Sequence, residues 1–285
     1  MVITLAFVFG LISVILVTLL VVAVHSLLSF DLTSFSLFFI VPVGAIFTSA
    51  AACYGYYLGL LKSNKKLDSR LKWVGVLFAF VAYVVMQYGF YCTAYLDENM
   101  DLNFQMTGEH ISQFCFSDAD EPISFFSFTK MVIESRTISF TRYGNSVLEV
   151  KENAVVNWVF FGIDLLGAMF GSVVAQMIVI GSRKYCDQCR RYMKQKDLFK
   201  FPAGDQETLD SLTNSDLLTA DKLHELLSAQ YDGEDVHYDV QLDWCTECSD
   251  GYLQLKLMQP DRKGRMTHNE EESIEVRLSS ARRFL

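Results

Sequence analysis

Four of the seven cysteines fall at one repeated spacing, Cys186-Asp-Gln-Cys189 and Cys245-Thr-Glu-Cys248. Two intervening residues let both thiolates of a pair reach one ion. Two such pairs complete a tetrahedral four-sulfur shell, the donor set of a structural zinc ion. A shell of four cysteines leaves no open position, so catalysis at the metal is not expected. The same spacing serves thiol–disulfide exchange when one pair starts a helix in a thioredoxin-like setting. Metal binding is the favoured reading and redox chemistry the alternative. Cys92 and Cys115 form either a disulfide or two free thiols.

Asp164 is the second chemical candidate. It is the one acid in a long apolar run, 154–181. An ionisable group inside a bilayer is costly and marks a functional hypothesis, here a proton or ion relay. A relay needs partners, and the other apolar runs carry no Lys, Arg, Asp or Glu. The quieter expectation is a neutral carboxyl bonded to a Tyr or Ser across a helix interface. His110, His224, His237 and His268 show no ligand spacing, and His224-Glu225 lacks the second histidine of a metalloprotease helix. His25 is expected at a membrane surface. There is no phosphate loop, serine elbow or kinase motif, and no catalytic residue is assigned.

These residues depend on four apolar runs in a chain of 285 residues that is 51% hydrophobic. A helix needs about 20 apolar residues to cross a bilayer. The runs are 2–28, 35–61, 73–96 and 154–181. The first lacks the basic start and short core of a signal peptide, so it is expected to stay as a span. Pro42 either kinks the second run or marks an irregular first turn. Ala51, Gly55 and Gly59 share one face of that run, and Gly167 and Gly171 one face of the fourth. Gly75 and Ala79 suit a third such face. Small residues let membrane helices approach closely, within the chain or in a homo-oligomer. Trp73, Tyr88, Tyr91 and Tyr95 suit an interfacial belt.

Basic residues set the expected orientation. Residues 62–72 carry five bases against one acid, and 183–200 carry seven against two. Both segments are therefore expected inside, with both termini cytoplasmic. Residues 97–153 are expected outside, in a bacterial inner membrane or its equivalent. That loop has ten acids and four bases. Runs such as Ile123-Ser-Phe-Phe-Ser-Phe-Thr, Thr137-Ile-Ser-Phe-Thr and Val147-Leu-Glu-Val predict strands, with Gly144-Asn145 as a turn. Residues 204–230 predict two helical pieces, with Ser215 and Thr219 as N-caps and Leu217, Leu218, Leu223, Leu226 and Leu227 on the apolar face. Strands are predicted at 236–244, 252–258 and 274–278.

The tail resembles zinc-ribbon domains in its two Cys-x-x-Cys knuckles and nearby strands. The 55 residues between the pairs exceed the usual gap of roughly 15–20, which fits a ribbon carrying a helical insertion. Tyr185 and Trp244 precede the pairs and would shield the site. The tail departs from the ribbon pattern after each knuckle. Arg190 stands where a glycine is common, and Gly251 follows the second pair only after Ser249 and Asp250. Ribbons bind proteins or nucleic acids. Residues 183–285 have 15 bases and 20 acids, a net of −5, which lacks the electrostatic footprint of phosphate-backbone binding. A cytoplasmic protein is the expected partner.

The fold class expected is an α-helical membrane protein with four transmembrane helices, a small β-rich outer module and a cytoplasmic α+β zinc-ribbon-like domain. Its divisions are 1–96, 97–153, 154–181 and 182–285. Function follows as a membrane scaffold or sensor. The alternatives are a small-molecule or ion transporter using Asp164, and an integral membrane enzyme of unknown chemistry.

Overall fold

The computed structural model describes residues 2–28, 30–37, 41–99, 101–115, 121–135, 138–142, 145–150, 153–214, 226, 231, 235–278 and 281. The chain divides into two compact units, 1–182 and 183–285.

Four helices of the first unit are long and apolar enough to cross a membrane. They are α1 (Val2–Leu28), α2 (Val43–Lys62), α3 (Ser69–Cys92) and a later helix at Ala154–Val179. The second run starts late: Pro42 is the residue before α2 and caps it with no side-chain bond. Residues 35–37 and 41 lie outside the helix, with Leu37 and Val41 bridged as extended chain. Of the two readings of Pro42, the irregular start is the one found. Proline fits there because the first helical N–H groups have no intrahelical partner. The third helix begins four residues before its apolar run, because Asp68 accepts from the Leu71 N–H at 2.8 Å and caps it.

Helix α2 is the hub. It packs against α1, α3 and Ala154–Val179. Its most apolar stretch is 61% buried, against 33% for α3 and Ala154–Val179 and 17% for α1. Small residues make this possible. A Cβ added at Gly55 would sit 2.3 Å from the Phe9 carbonyl oxygen, and one at Gly59 would sit 2.5 Å from Ala6 Cα. A Cβ added at Gly167 would sit 2.3 Å from the Pro42 ring, and one at Gly171 would sit 2.5 Å from the Ile46 carbonyl oxygen. These glycine faces are therefore filled by helices of the same chain. Polar bonds lock the contact, including Tyr57 to Ser172 at 2.7 Å and Ser13 to the Ala51 carbonyl at 2.9 Å.

The loop module corrects one expectation. Residues 123–129 are not a strand. After Ser124, which accepts from the Ser127 N–H, the chain forms α4 (Phe125–Glu134). Phe125, Phe128 and Val132 recur at three- and four-residue steps, the helical period, and Phe128 and Ile133 are buried. Three short strands, β1 (Tyr95–Leu96), β2 (Leu102–Asn103) and β3 (Glu109–His110), form an antiparallel sheet in the order β2-β1-β3. A hairpin follows, β4 (Ile138–Arg142) with β5 (Asn145–Val150). The Gly144 turn position and Thr137 lie outside the described residues. The fourth long helix is α5 (Ala154–Val179), capped by Asn153.

The second unit is built on strands. A small hairpin, β6 (Tyr185–Cys186) with β7 (Arg191–Tyr192), leads into β8 (Lys194–Pro202). Helix α6 (Gln206–Thr213) follows, capped by Asp205. The remaining strands are β9 (His237–Trp244), β10 (Gly251–Pro260) and β11 (Met266–Leu278). The sheet is an antiparallel meander in the order β11-β10-β9-β8. Val240, Leu242, Leu253, Leu255, Leu257 and Leu278 fill its apolar core, joined by Leu212 of α6 and by Leu226. Ser215, Thr219, Leu217, Leu218, Leu223 and Leu227 lie outside the described residues. The opposite sheet face is polar. Gln254 donates to Asp243 at 2.6 Å, and Gln241 donates to Asp197 at 2.6 Å.

Candidate metal centre

The two cysteine pairs are turns of two hairpins. Cys186 ends β6 and Cys189 precedes β7, while Cys245 to Cys248 span the turn from β9 to β10. Pairing of Tyr185 with Tyr192 and Cys186 with Arg191 holds the first turn. The Cys245 N–H donates to the Asp250 carbonyl at 2.8 Å and closes the second. The residue after each pair has a positive φ: Arg190 at 51° and Ser249 at 64°. Both are in the left-handed region, which costs a non-glycine residue roughly 1–2 kcal/mol. The two knuckles thus share one backbone shape, even though neither has a glycine at this point.

That shape aims backbone N–H groups at sulfur. The Cys189 N–H donates to the Cys186 sulfur, and the Glu247 and Cys248 N–H groups donate to the Cys245 sulfur. All four Sγ atoms lie within 4.8 Å of one another, and Cys186 and Cys248 approach to 3.7 Å. A tetrahedral shell with metal–sulfur bonds of about 2.3 Å has sulfur–sulfur edges of about 3.8 Å. The four thiols therefore fit one ion of this kind. Among the described residues this is the one convergence of three or more Cys, His, Asp or Glu ligand atoms.

Crowding separates the thiols electrostatically. Mutual hydrogen bonding with Cys248, followed by burial, pushes Cys189 up to about 12. Burial also raises Cys186. Burial acts the same way on Cys245, but the N–H groups of Cys248 and Glu247 outweigh it and pull that thiol down to about 7. One thiolate forms readily and resists the ionisation of its neighbours. A bound cation removes that resistance, which is why such sites take up metal with release of protons.

Sequence reasoning misplaced the shield. Met193 and Tyr252 pack with the cysteines. Tyr185 instead stacks edge-on against Tyr192 at 5.1 Å, and Trp244 packs on the sheet core. It also missed a clamp across the two turns. The Arg191 guanidinium reaches from the first hairpin to Glu247 at 2.7 Å and Thr246 at 3.1 Å in the second knuckle. No signal in the sequence marks it, because the left-handed residue before it is an arginine and not a glycine. Lys184 pairs with Glu275 and lies 4.2 Å over the Tyr252 ring, which ties β6, β10 and β11 beside the cluster.

Neither cysteine pair starts a helix, so the feature that lowers a thiol in thioredoxin-like motifs is missing from both turns. Cys92 and Cys115 are free thiols. Asp164 belongs to the helical unit. It is 5% exposed, on the buried face of α5 with Gly167 and Gly171. The His237 Nδ1–H donates to the Asp235 carbonyl (2.7 Å), and His268 bonds Ser273 (2.7 Å). No protein-family model, curated protein or solved structure matches the chain.

Proposed function

We propose that this chain is an integral membrane scaffold or sensor whose C-terminal unit, stapled by a structural zinc ion, docks a protein partner in the cytoplasm. The observation that carries the reading is the convergence of Cys186, Cys189, Cys245 and Cys248. Four thiolates close the coordination shell, so zinc there would supply folding energy and no substrate position. The ion would join the two hairpin turns, while Arg191 and the backbone N–H groups hold the sulfurs in place. The net charge of −5 on 183–285 favours a partner with a basic face and disfavours nucleic acid.

The cytoplasmic assignment rests on the bases of 62–72 and 183–200. A reporter active only outside the membrane, fused after Leu285, should be silent; an active one reverses the orientation. Partner docking is tested by crosslinking in cells with the wild-type chain and with Cys186→Ser and Cys245→Ser. The variants should still reach the membrane but lose a partner that the wild type retains. Identical crosslinked sets from all three chains would contradict docking through the metal-stapled unit.

A second reading, small-molecule or ion transport through Asp164, has that residue's burial inside the helical unit in its favour. Asp164→Asn separates the two. Normal assembly and partner docking support the scaffold. Loss of a transport phenotype in a correctly assembled variant supports transport.

A further inference from the structure

Helix α4 is fixed at both ends to the rims of two membrane-length helices. At its start, the Phe125 ring packs edge-on against Tyr88 at 5.5 Å and Tyr91 at 6.0 Å, and the Tyr91 hydroxyl donates to the Ile123 carbonyl at 3.0 Å. At its end, the Asn157 side-chain amide donates to the Glu134 carbonyl at 3.2 Å, and the Trp158 indole donates to the Glu134 carboxylate at 3.4 Å. Tyr88 lies four residues before the end of α3, and Trp158 four residues after the start of α5. At about 1.5 Å per residue, each anchor is about 6 Å inside its helix end. One side of α4 is buried through Phe128 and Ile133, while Phe126 is 80% exposed. The Phe126 ring lies 5.4 Å from Phe125. Lys130, one turn further on, is also exposed.

We propose that α4 is an interfacial helix whose Phe126–Lys130 face rests in the phospholipid headgroup layer, on the side of the bilayer that holds residues 97–153. The proposal rests on the reading of α1, α2, α3 and α5 as membrane spans. Its level fits: an interfacial amphipathic helix sinks about 5–10 Å into the boundary between headgroups and acyl chains, and both anchors of α4 lie at such a depth from their helix ends. The surface is also continuous. Val81, Val84, Val85 and Tyr88 are exposed on α3, so the face that α3 would give to lipid leads through Phe125 to Phe126. The side chains suit that place. An exposed phenyl ring gains by leaving water. Tyr88 and Trp158, 51% and 43% exposed, flank the helix and are ring types that gather at the membrane–water boundary. Lys130 can lay its stem along apolar surface and lift its ammonium to the phosphates. A water-borne protein partner would have to displace lipid from Tyr88 and Trp158 to reach the same face.

The test is site-specific photocrosslinking in cells that make the full-length chain. The photoreactive residue p-benzoylphenylalanine replaces Phe126, Met131 or Leu16, one site at a time, and adducts are read by mass spectrometry of the purified chain. Phe126 is exposed, so the larger ring projects away from the buried Phe128 and Ile133. Leu16, 62% exposed in the middle of α1, reports on the membrane reading itself. Met131 packs against the buried cluster of Ile111, Ile123 and Phe128 and reports on the face. Phospholipid adducts are expected from the Phe126 and Leu16 sites, with loss of the lipid adduct at the Met131 site. Lipid captured at the Leu16 site but none at the Phe126 site, or a protein adduct there in its place, overturns the proposal and leaves the spans standing. Equal lipid capture at the Phe126 and Met131 sites overturns the assigned face. No lipid at the Leu16 site overturns the membrane reading and this proposal with it.

Discussion

The two units solve the problem of close packing in opposite ways. In the helical unit the means is the absence of side chains. Gly55, Gly59, Gly167 and Gly171 let backbones approach until an added Cβ would collide. In the C-terminal unit the joining point is the presence of four particular side chains, on turns whose backbone is strained at Arg190 and Ser249. The first design spreads its stability along whole helices. The second adds to its apolar sheet core a single point where two turns meet, and on the metal reading it should fail when that point is lost.

The sharpest break of this comparison is metal removal. Chelation, or Cys245→Ser, should unfold the 183–285 unit, since structural zinc sites bind with on the order of 10 kcal/mol that is also folding energy. Hydrogen exchange across the full chain should show protection lost in β8 to β11 and kept in α2. Protection kept in both would mean that the sheet stands without the ion. Uptake by the metal-free chain must displace protons from thiols such as Cys189, held up at about 12. Affinity should therefore strengthen from about pH 6 to about pH 8; a flat profile would contradict thiolate ligation.

A smaller effect probes the other unit. Gly171→Leu drives a side chain against the Ile46 carbonyl at 2.5 Å and the Ala50 N at 2.9 Å. It should destabilise the bundle by about 3 kcal/mol, the upper end of ordinary overpacking, and leave metal content unchanged. Arg191→Ala should cost about 1 kcal/mol or less in the C-terminal unit, because Glu247 is 58% exposed and the pair is solvent-screened. The smallest effect is a gain. Arg190→Gly and Ser249→Gly should each stabilise the metal-bound unit by up to about 1 kcal/mol, by relieving a positive φ. Loss of stability in both would mean that these side chains matter more than their backbone shape.

The same contrast decides what could be seen in the sequence. The membrane-length helices were legible, because a long apolar run has few alternatives. The cysteine set was legible from spacing alone. Helix α4 was not, because Phe125, Phe126 and Phe128 fit a strand's alternation as well as a helical stripe; the Ser124 cap decides between them. Strand β8 was hidden among Lys194, Lys196 and Lys200, which had looked like a membrane-side basic flank. The left-handed turns were invisible because neither carries a glycine. The cover over the cysteines was assigned to sequence neighbours, whereas Tyr252 arrives from β10, a contact that only the sheet creates.

The most direct measurement is metal per chain in the purified full-length protein, read alongside its thiols. One equivalent of zinc is expected, released in step with reaction of four cysteines, while Cys92 and Cys115, both exposed, react first. Less than half an equivalent of zinc, with all four knuckle thiols freely titratable from the start, would contradict a metal-stapled domain.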